Sequence, residues 1–209
     1  GEFAATTSLV TKSGTWSYTD IIGHEMPFAL GNLFRQRGAQ TLGFHNHSYT
    51  YYNRDKSMPT MGYTYYGQGH GLELTEQWPE SDVEMMEQSV PMYAGEPSFH
   101  VYYMTVSGHL GYTFDGNMMA AKHKDEVEDL PYSDEVKAWN WKMPWKACWN
   151  SWKRRARWKT PSLPSRRTIT PMALRMNSMP SCAGRKAWKR LLNCTKALFF
   201  CGRPLWNSL

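Results

Sequence analysis

Beyond Glu135 the chain has no aspartate or glutamate, beyond Tyr132 no tyrosine, and beyond His123 no histidine. That stretch therefore lacks the carboxylates and imidazoles that most often exchange protons near neutral pH or ligate a metal. Cysteine is absent before Cys148, which removes disulfides from the larger part of the chain and suits, without requiring, an exported protein. Cys148, Cys182, Cys194 and Cys201 form no CxxC pair and have no histidine among them, so no zinc site is expected. No apolar run approaches the roughly 18 residues of a membrane-spanning helix, and no secretory leader is recognisable. Internal repeats are lacking too. The chain starts at Gly1 without a methionine and reads as an internal piece of something longer.

What is present divides near Glu135. Residues 1–135 hold all 18 acidic residues against 7 of the 24 lysines and arginines, a formal −11. The remainder holds the other 17 basic residues and 8 of the 10 tryptophans, so the net +6 belongs to the tail. Basic tails can bind nucleic acid or anionic lipid. Such arms are usually poor in tryptophan and simple in repeat, however, and the −11 of the larger part argues against nucleic acid. Two units are expected: a folded part over 1–138, and a basic Trp/Arg-rich tail over 139–209, irregular or poorly ordered.

Within the first part, Ile21, Ile22, Phe28, Leu30, Leu33 and Phe34 recur at roughly helical spacing, and Gly38 is placed to stop the helix. "TLGFH" then reads as a short buried strand. A loop rich in tyrosine, asparagine and glycine is expected up to Gly71. "SDVEMMEQSVPMY" predicts a second helix with Ser81 as N-cap and acids in its first turn. "SFHVYYMTVSGH" is aromatic and β-branched and predicts a second strand. "LPYSDEVKAW" starts a third helix, with Ser133 as its cap. Helix followed by strand indicates an α/β fold, whose sites lie beyond the carboxyl ends of strands.

Three places carry candidate chemistry: His45 and His47 around Asn46; "YYNRD" at 51–55; and "TVSGH" at 105–109. Histidine and arginine meeting at one sheet edge make an anion pocket, with Arg54 forking onto two phosphate oxygens while His45 and His109 donate single hydrogen bonds. The plainer alternative leaves these histidines on the surface and pairs Arg54 with Asp55. His24, His70, His100 and His123 have no such context and are expected to be structural or exposed.

"FHNHSYTYYNRDKSMPTMGY" at 44–63 resembles a segment of the lipoteichoic acid synthases and related sulfatase-fold phosphoglycerol transferases, in which a histidine follows a strand and an aromatic-Asn-Arg-Asp run comes shortly after. "YYMTVSGHLGYTFD" at 102–115 resembles the family's later strand, ending in Thr, two variable residues and His. "LPYSDEVKA" resembles the start of the following helix, so the likeness runs through residues 1–138. It implies part of an alkaline phosphatase/sulfatase-like α/β sandwich. His45, Arg54 and His109 would hold glycerol phosphate, with Tyr52 as the aromatic wall.

The family's reaction, by the same resemblance, uses a threonine beside a manganese ion to take glycerol phosphate from phosphatidylglycerol and pass it to a growing polymer. Hydrolysis is the related alternative, with water in place of the polymer end. The implied setting is the outer face of a bacterial plasma membrane, with the membrane anchor in a missing N-terminal segment. The family's threonine falls just upstream of Gly1, its first metal carboxylate further upstream, and its Asp-His metal pair beyond the helix that starts at Ser133. No catalytic residue and no bound metal are therefore expected in this chain. Thr6, Thr7 and Thr11 are hydroxyls that nothing marks as nucleophiles. A second hypothesis treats residues 1–135 as a module that binds glycerol phosphate or a polyanionic polymer without acting on it.

The tail departs from the family, which has an acidic amphipathic helix after "YSDEVKA". Read with the last base of each codon joined to the first two of the next, every Trp-Asn or Trp-Lys step gives GAA, glutamate, because tryptophan has the single codon TGG and both partners begin AA. The steps at Trp139, Trp141, Trp145, Trp149, Trp152 and Trp158 all convert in this way. Permitted codons then turn "PSLPSRRTITPMA" into "IAAITADHYPYG", an apolar strand followed by Asp-His. Stretches such as "WNSWKRRARWK" are thus expected to be out-of-frame translation. Base stacking or insertion into a lipid interface remains the competing reading of the tail.

Overall fold

The computed structural model describes residues 2–109, 111 and 113–140, and the short segments 171–172 and 197–202. Its centre is a sheet in which four strands run parallel: β1 (Gln40–Ser48), β2 (Thr64–Gln68), β3 (Gly71–Leu72) and β4 (Phe99–Met104), in the order β3-β2-β1-β4. Beyond β4 come β6 (Ala197–Gly202) and β5 (Pro171–Met172), both pairing antiparallel. The other tail positions, and with them the proposed frame slip, lie outside the described residues.

Burial on both faces explains the strand sequences, as expected of a parallel sheet covered by helices. All six β4 residues are buried, as are Thr41 to Asn46 of β1. On one face Leu42, Phe44, Val101 and Tyr103 pack against Met85, Met86 and Val90 from α5 (Asp82–Ser89) and the turn after it. On the other, Tyr65, Tyr102 and Met104 meet Met58 of α4 (Arg54–Thr60), along with Met61, Phe3 and Ile21. Gly43 lets α4 come close: a Cβ there would lie 2.7 Å from Met58 Cε. Three layers result, mixed α/β, with α4 and α5 on opposite faces.

The helix expected from Ile21 to Phe34 is instead two short helices, α2 (Ser17–Asp20) and α3 (Leu30–Gln36), joined by turns. Gly23 at φ +83° and Pro27 break the run, because neither favours continuing a helix there. Gly38 does follow the helix end, at φ +77°. The loop expected up to Gly71 contains α4 and β2, and both Tyr63, just before β2, and Tyr65, within it, are buried. Ser81 caps α5 as read, its Oγ accepting from Glu84 N at 3.2 Å. The third helix forms as α7 (Asp134–Asn140), after α6 (Met118–Lys122), and Ser133 contributes its carbonyl to Lys137 N at 2.9 Å.

The chain leaves β1 for β2 through α4 and returns through α5 to β4 on β1's other side. The carboxyl ends of β1 and β4 are therefore a topological switch point, the place where such a sheet is expected to form a ligand crevice. The β1–β2 register shifts between Phe44 and Ser48, so the ladder is irregular just where both β1 histidines sit.

Candidate functional site at the carboxyl ends of β1 and β4

His45 lies inside β1, opposite Met104 of β4, three residues before the strand ends. Its Nδ1–H donates to Met104 O at 3.1 Å, since a carbonyl can only accept. The ring is 2 % exposed, and its Nε2 has no hydrogen-bond partner. Burial lowers its pKa to about 3; the Arg54 charge adds to the effect, the bond to Met104 opposes it, and His47 and His109 push it down further. His45 is therefore a neutral imidazole with a bare acceptor nitrogen. Its one ring proton is committed to Met104 O, so the expected donation to phosphate would need a second proton on Nε2.

Arg54 opens α4 and is buried, with its guanidinium across both oxygens of Glu2: Nε to Oε1 at 3.3 Å and Nη2 to Oε2 at 3.0 Å. Nη1 has only a long contact, 3.4 Å to Tyr51 O. Burial works against the cation, but the Glu2 carboxylate outweighs it and holds the guanidinium more firmly protonated than usual. The partner is thus Glu2, 52 positions away, and not Asp55. Just before α4, Tyr52 (φ 55°, ψ 30°) and Asn53 (φ 54°, ψ 32°) are both left-handed. Asparagine tolerates that region, whereas tyrosine adopts it only when its surroundings impose it. The turn sets the Tyr52 ring 5.2 Å from the Arg54 guanidinium carbon, with Tyr51 at 5.7 Å.

A row of rings borders the crevice. Trp16 meets Tyr52 at 4.6 Å between centroids, Tyr52 meets Tyr51 at 4.2 Å, Tyr51 meets His47 at 4.7 Å, and His47 meets Trp78 at 5.4 Å. Trp78 continues to His109 at 6.2 Å. His109 sits in the turn after β4, its backbone N–H donating to Val106 O at 2.7 Å. The four sequence-predicted residues, His45, Tyr52, Arg54 and His109, are accordingly gathered around one crevice.

Beneath it, Asp82 joins the strand ends. Its Oδ1 accepts from Asn46 Nδ2 at 2.8 Å, Val106 N at 2.9 Å and Ser107 N at 3.2 Å. Burial raises the Asp82 pKa, and those hydrogen bonds partly offset the shift. Glu80, Asp82 and Trp78 were not singled out as site residues by sequence reasoning, and Ser107 only as part of "TVSGH". The available signal was "WPESD", an acidic helix start placed between two candidate strands.

The other histidines lie apart from these contacts. His100 is buried against Phe34, stacked at 4.3 Å. His70 stacks on Tyr49 at 3.9 Å, His123 pairs with Glu126 at 2.7 Å, and His24 is exposed. Thr6 and Thr7 are buried, and their hydroxyls donate to helix carbonyls of Glu2 and Phe3. Among the described residues no group of three or more His, Cys, Asp or Glu is arranged to hold a metal ion. Manganese favours an octahedral oxygen set, so the buried imidazole acceptors and tied-up threonines do not fit the family's metal centre. No helix among the described residues is long and apolar enough to cross a membrane.

No family model matches the chain, and no curated protein or solved structure matches it.

Proposed function

We propose that this chain is the phosphate-ester-holding part of a sulfatase-fold enzyme that transfers glycerol phosphate from phosphatidylglycerol to a cell-envelope polymer at the outer face of a bacterial plasma membrane. The supporting observation is the convergence of His45, Tyr52, Arg54 and His109, from three separate segments, on the crevice between β1 and β4. Arg54 Nη1, the least engaged guanidinium nitrogen, faces the fewest competitors for a phosphate oxygen. Tyr52 walls the site, and His109 adds a second nitrogen group near His45. His45 Nε2 accepts from a ligand hydroxyl, which suits the glycerol end of the ester better than its phosphate. In this reading manganese, the nucleophile and the membrane anchor belong to other parts of the enzyme.

Isothermal titration with glycerol 1-phosphate tests the site. Binding should weaken at least about tenfold in Arg54→Lys, which loses the planar fork, and in His109→Ala. No heat from the unmodified chain, or unchanged affinity in both variants, sinks the proposal. With manganese present, the chain alone should not turn over a phosphatidylglycerol analogue; turnover would show that the nucleophile lies within it.

A further inference from the structure

Two acids meet nitrogen side chains around the site. Glu80 lies 2.6 Å from His47 Nδ1, and its backbone oxygen is tied to both strand ends, accepting from Asn46 Nδ2 at 3.1 Å and Ser107 Oγ at 3.0 Å. Glu2 is different, because it reaches the site from outside the sheet. It opens α1 (Glu2–Thr7) and lays both carboxylate oxygens along the Nε–Nη2 edge of Arg54, at 3.3 and 3.0 Å. The two side chains are only 10 % and 4 % exposed. An anion therefore already sits on the cation that a ligand anion would need.

The donors around Arg54 exceed what a carboxylate can use. Its two oxygens, in one plane, take up Nε and Nη2, while Nη1 has only the long 3.4 Å contact to Tyr51 O. Tyr65 comes from β2 and is 4 % exposed, and its hydroxyl is buried with no hydrogen-bond partner. That hydroxyl lies within the electrostatic reach of both Arg54 and Glu2, and burial keeps it protonated, hence a donor. A buried donor left unpaired is costly. A tetrahedral oxyanion has oxygens to spare for donors outside the carboxylate plane.

The seat of Glu2 can also be vacated. Phe3 holds α1 to the core, packed edge-on against Tyr18 at 5.6 Å, but Glu2 lies in the first helical turn, ahead of that anchor. Helix ends fray at little cost, so the Glu2 side chain can swing away while Phe3 stays in place.

We propose that Glu2 makes an autoinhibitory contact: its carboxylate is an internal anion in the Arg54 fork, and a tetrahedral oxyanion, phosphate or sulfate, binds by displacing it and takes up the Tyr65 hydroxyl as well. The inference rests on the phosphate-ester reading of the same arginine and adds a block to it.

The test is calorimetry of the full chain with inorganic phosphate. Glu2→Gln keeps the shape and removes the competing charge, so it should bind phosphate at least about tenfold tighter than the unmodified chain. Adding Tyr65→Phe should lose part of that gain. Carbon NMR of the unmodified chain reads the displacement directly: with phosphate bound, the Glu2 carboxylate signal should move to that of an exposed glutamate. That second measurement decides the matter should Glu2→Gln fail to fold. Equal or weaker binding by Glu2→Gln, or a Glu2 signal that stays put while phosphate binds, overturns the block and leaves the phosphate-ester site standing. If Glu2→Gln binds phosphate more tightly but does not bind glycerol 1-phosphate, the block stands and the ester reading falls. If neither chain binds either anion, both fall.

Discussion

A neutral, buried imidazole has a thermodynamic signature in its dependence on pH. The folded-state pKa of His45 is about 3, below the usual 6.5, so between these values the unfolded chain binds a proton that the folded chain refuses. Stability from this residue is complete above pH 6.5 and is lost as pH falls towards 3, by at most about 5 kcal/mol. His100, lowered to about 4 by burial, adds a smaller loss over the upper part of the same window. Asp82 acts in the opposite direction: its raised pKa makes the folded chain take up a proton on acidification and so offsets part of the loss. Urea unfolding at pH 7, 5.5 and 4.5 should show stability falling with pH, and His45→Asn, which keeps a donor for Met104 O, should flatten the slope. An unchanged slope would show that His45 is not held neutral by burial. Arg54 makes a second residue-scale case. Arg54→Ala leaves the Glu2 carboxylate unpaired and largely buried, a loss of about 3–5 kcal/mol, whereas replacing both partners with apolar residues should cost far less. Equal losses in the single and double variants would mean that the pair contributes nothing specific.

At the scale of elements, the crevice depends on how β1, β4 and α5 are joined, and that junction rests on two adjacent residues with different roles. Ser81 satisfies one orphan N–H of α5, so Ser81→Ala should cost about 1 kcal/mol, measured by thermal unfolding. Asp82 satisfies three donors, on β1 and on the turn after β4, and Asp82→Ala strands them in the interior. That change should cost at least about 3 kcal/mol and should also weaken ligand binding, since the strand ends lose their tie. If the two variants behave alike, Asp82 is not the tie. The same elements show what the sequence discloses and what it hides. β1, β4 and α5 are readable because their apolar or acidic patterns match one period and carry their own boundaries. α4 and β2 are hidden because tyrosines bury a ring while looking polar, and because Pro59 sits in the last turn of α4. The site was legible through its histidines and arginine, whose types are rare and chemically marked. Its carboxylates were not, because Glu2, Glu80 and Asp82 look like any of the other fifteen acids until the fold brings them to their partners.

Across the whole molecule, an acidic α/β part stands beside a basic tail of different composition, and the sheet alone does not account for that boundary. Of the tail, only α7's last residues, β5 and β6 are described, and β6 pairs along β4 over Ala197–Gly202. If the tail is the product of a frame slip, the constraint falls on single bases of the coding DNA. The Asp of the alternative frame requires the Arg167 codon to end in G, and the following His requires the Thr168 codon to end in C. The glutamates at Trp139, Trp141, Trp145, Trp149, Trp152 and Trp158 are forced whatever the codons are, so they discriminate nothing by themselves. We expect sequencing through Ala138 and Trp139 to show a gained or lost base, and the alternative frame to run open through Asp-His. The restored protein, with that pair in place and the family's threonine and first metal carboxylate supplied to it, should then acquire manganese-dependent turnover of phosphatidylglycerol. An Arg167 codon ending in any other base, or a stop in the alternative frame before that pair, would return the tryptophans and arginines to selection as protein. Salt-sensitive binding of the tail to anionic vesicles or DNA would then be the property to measure.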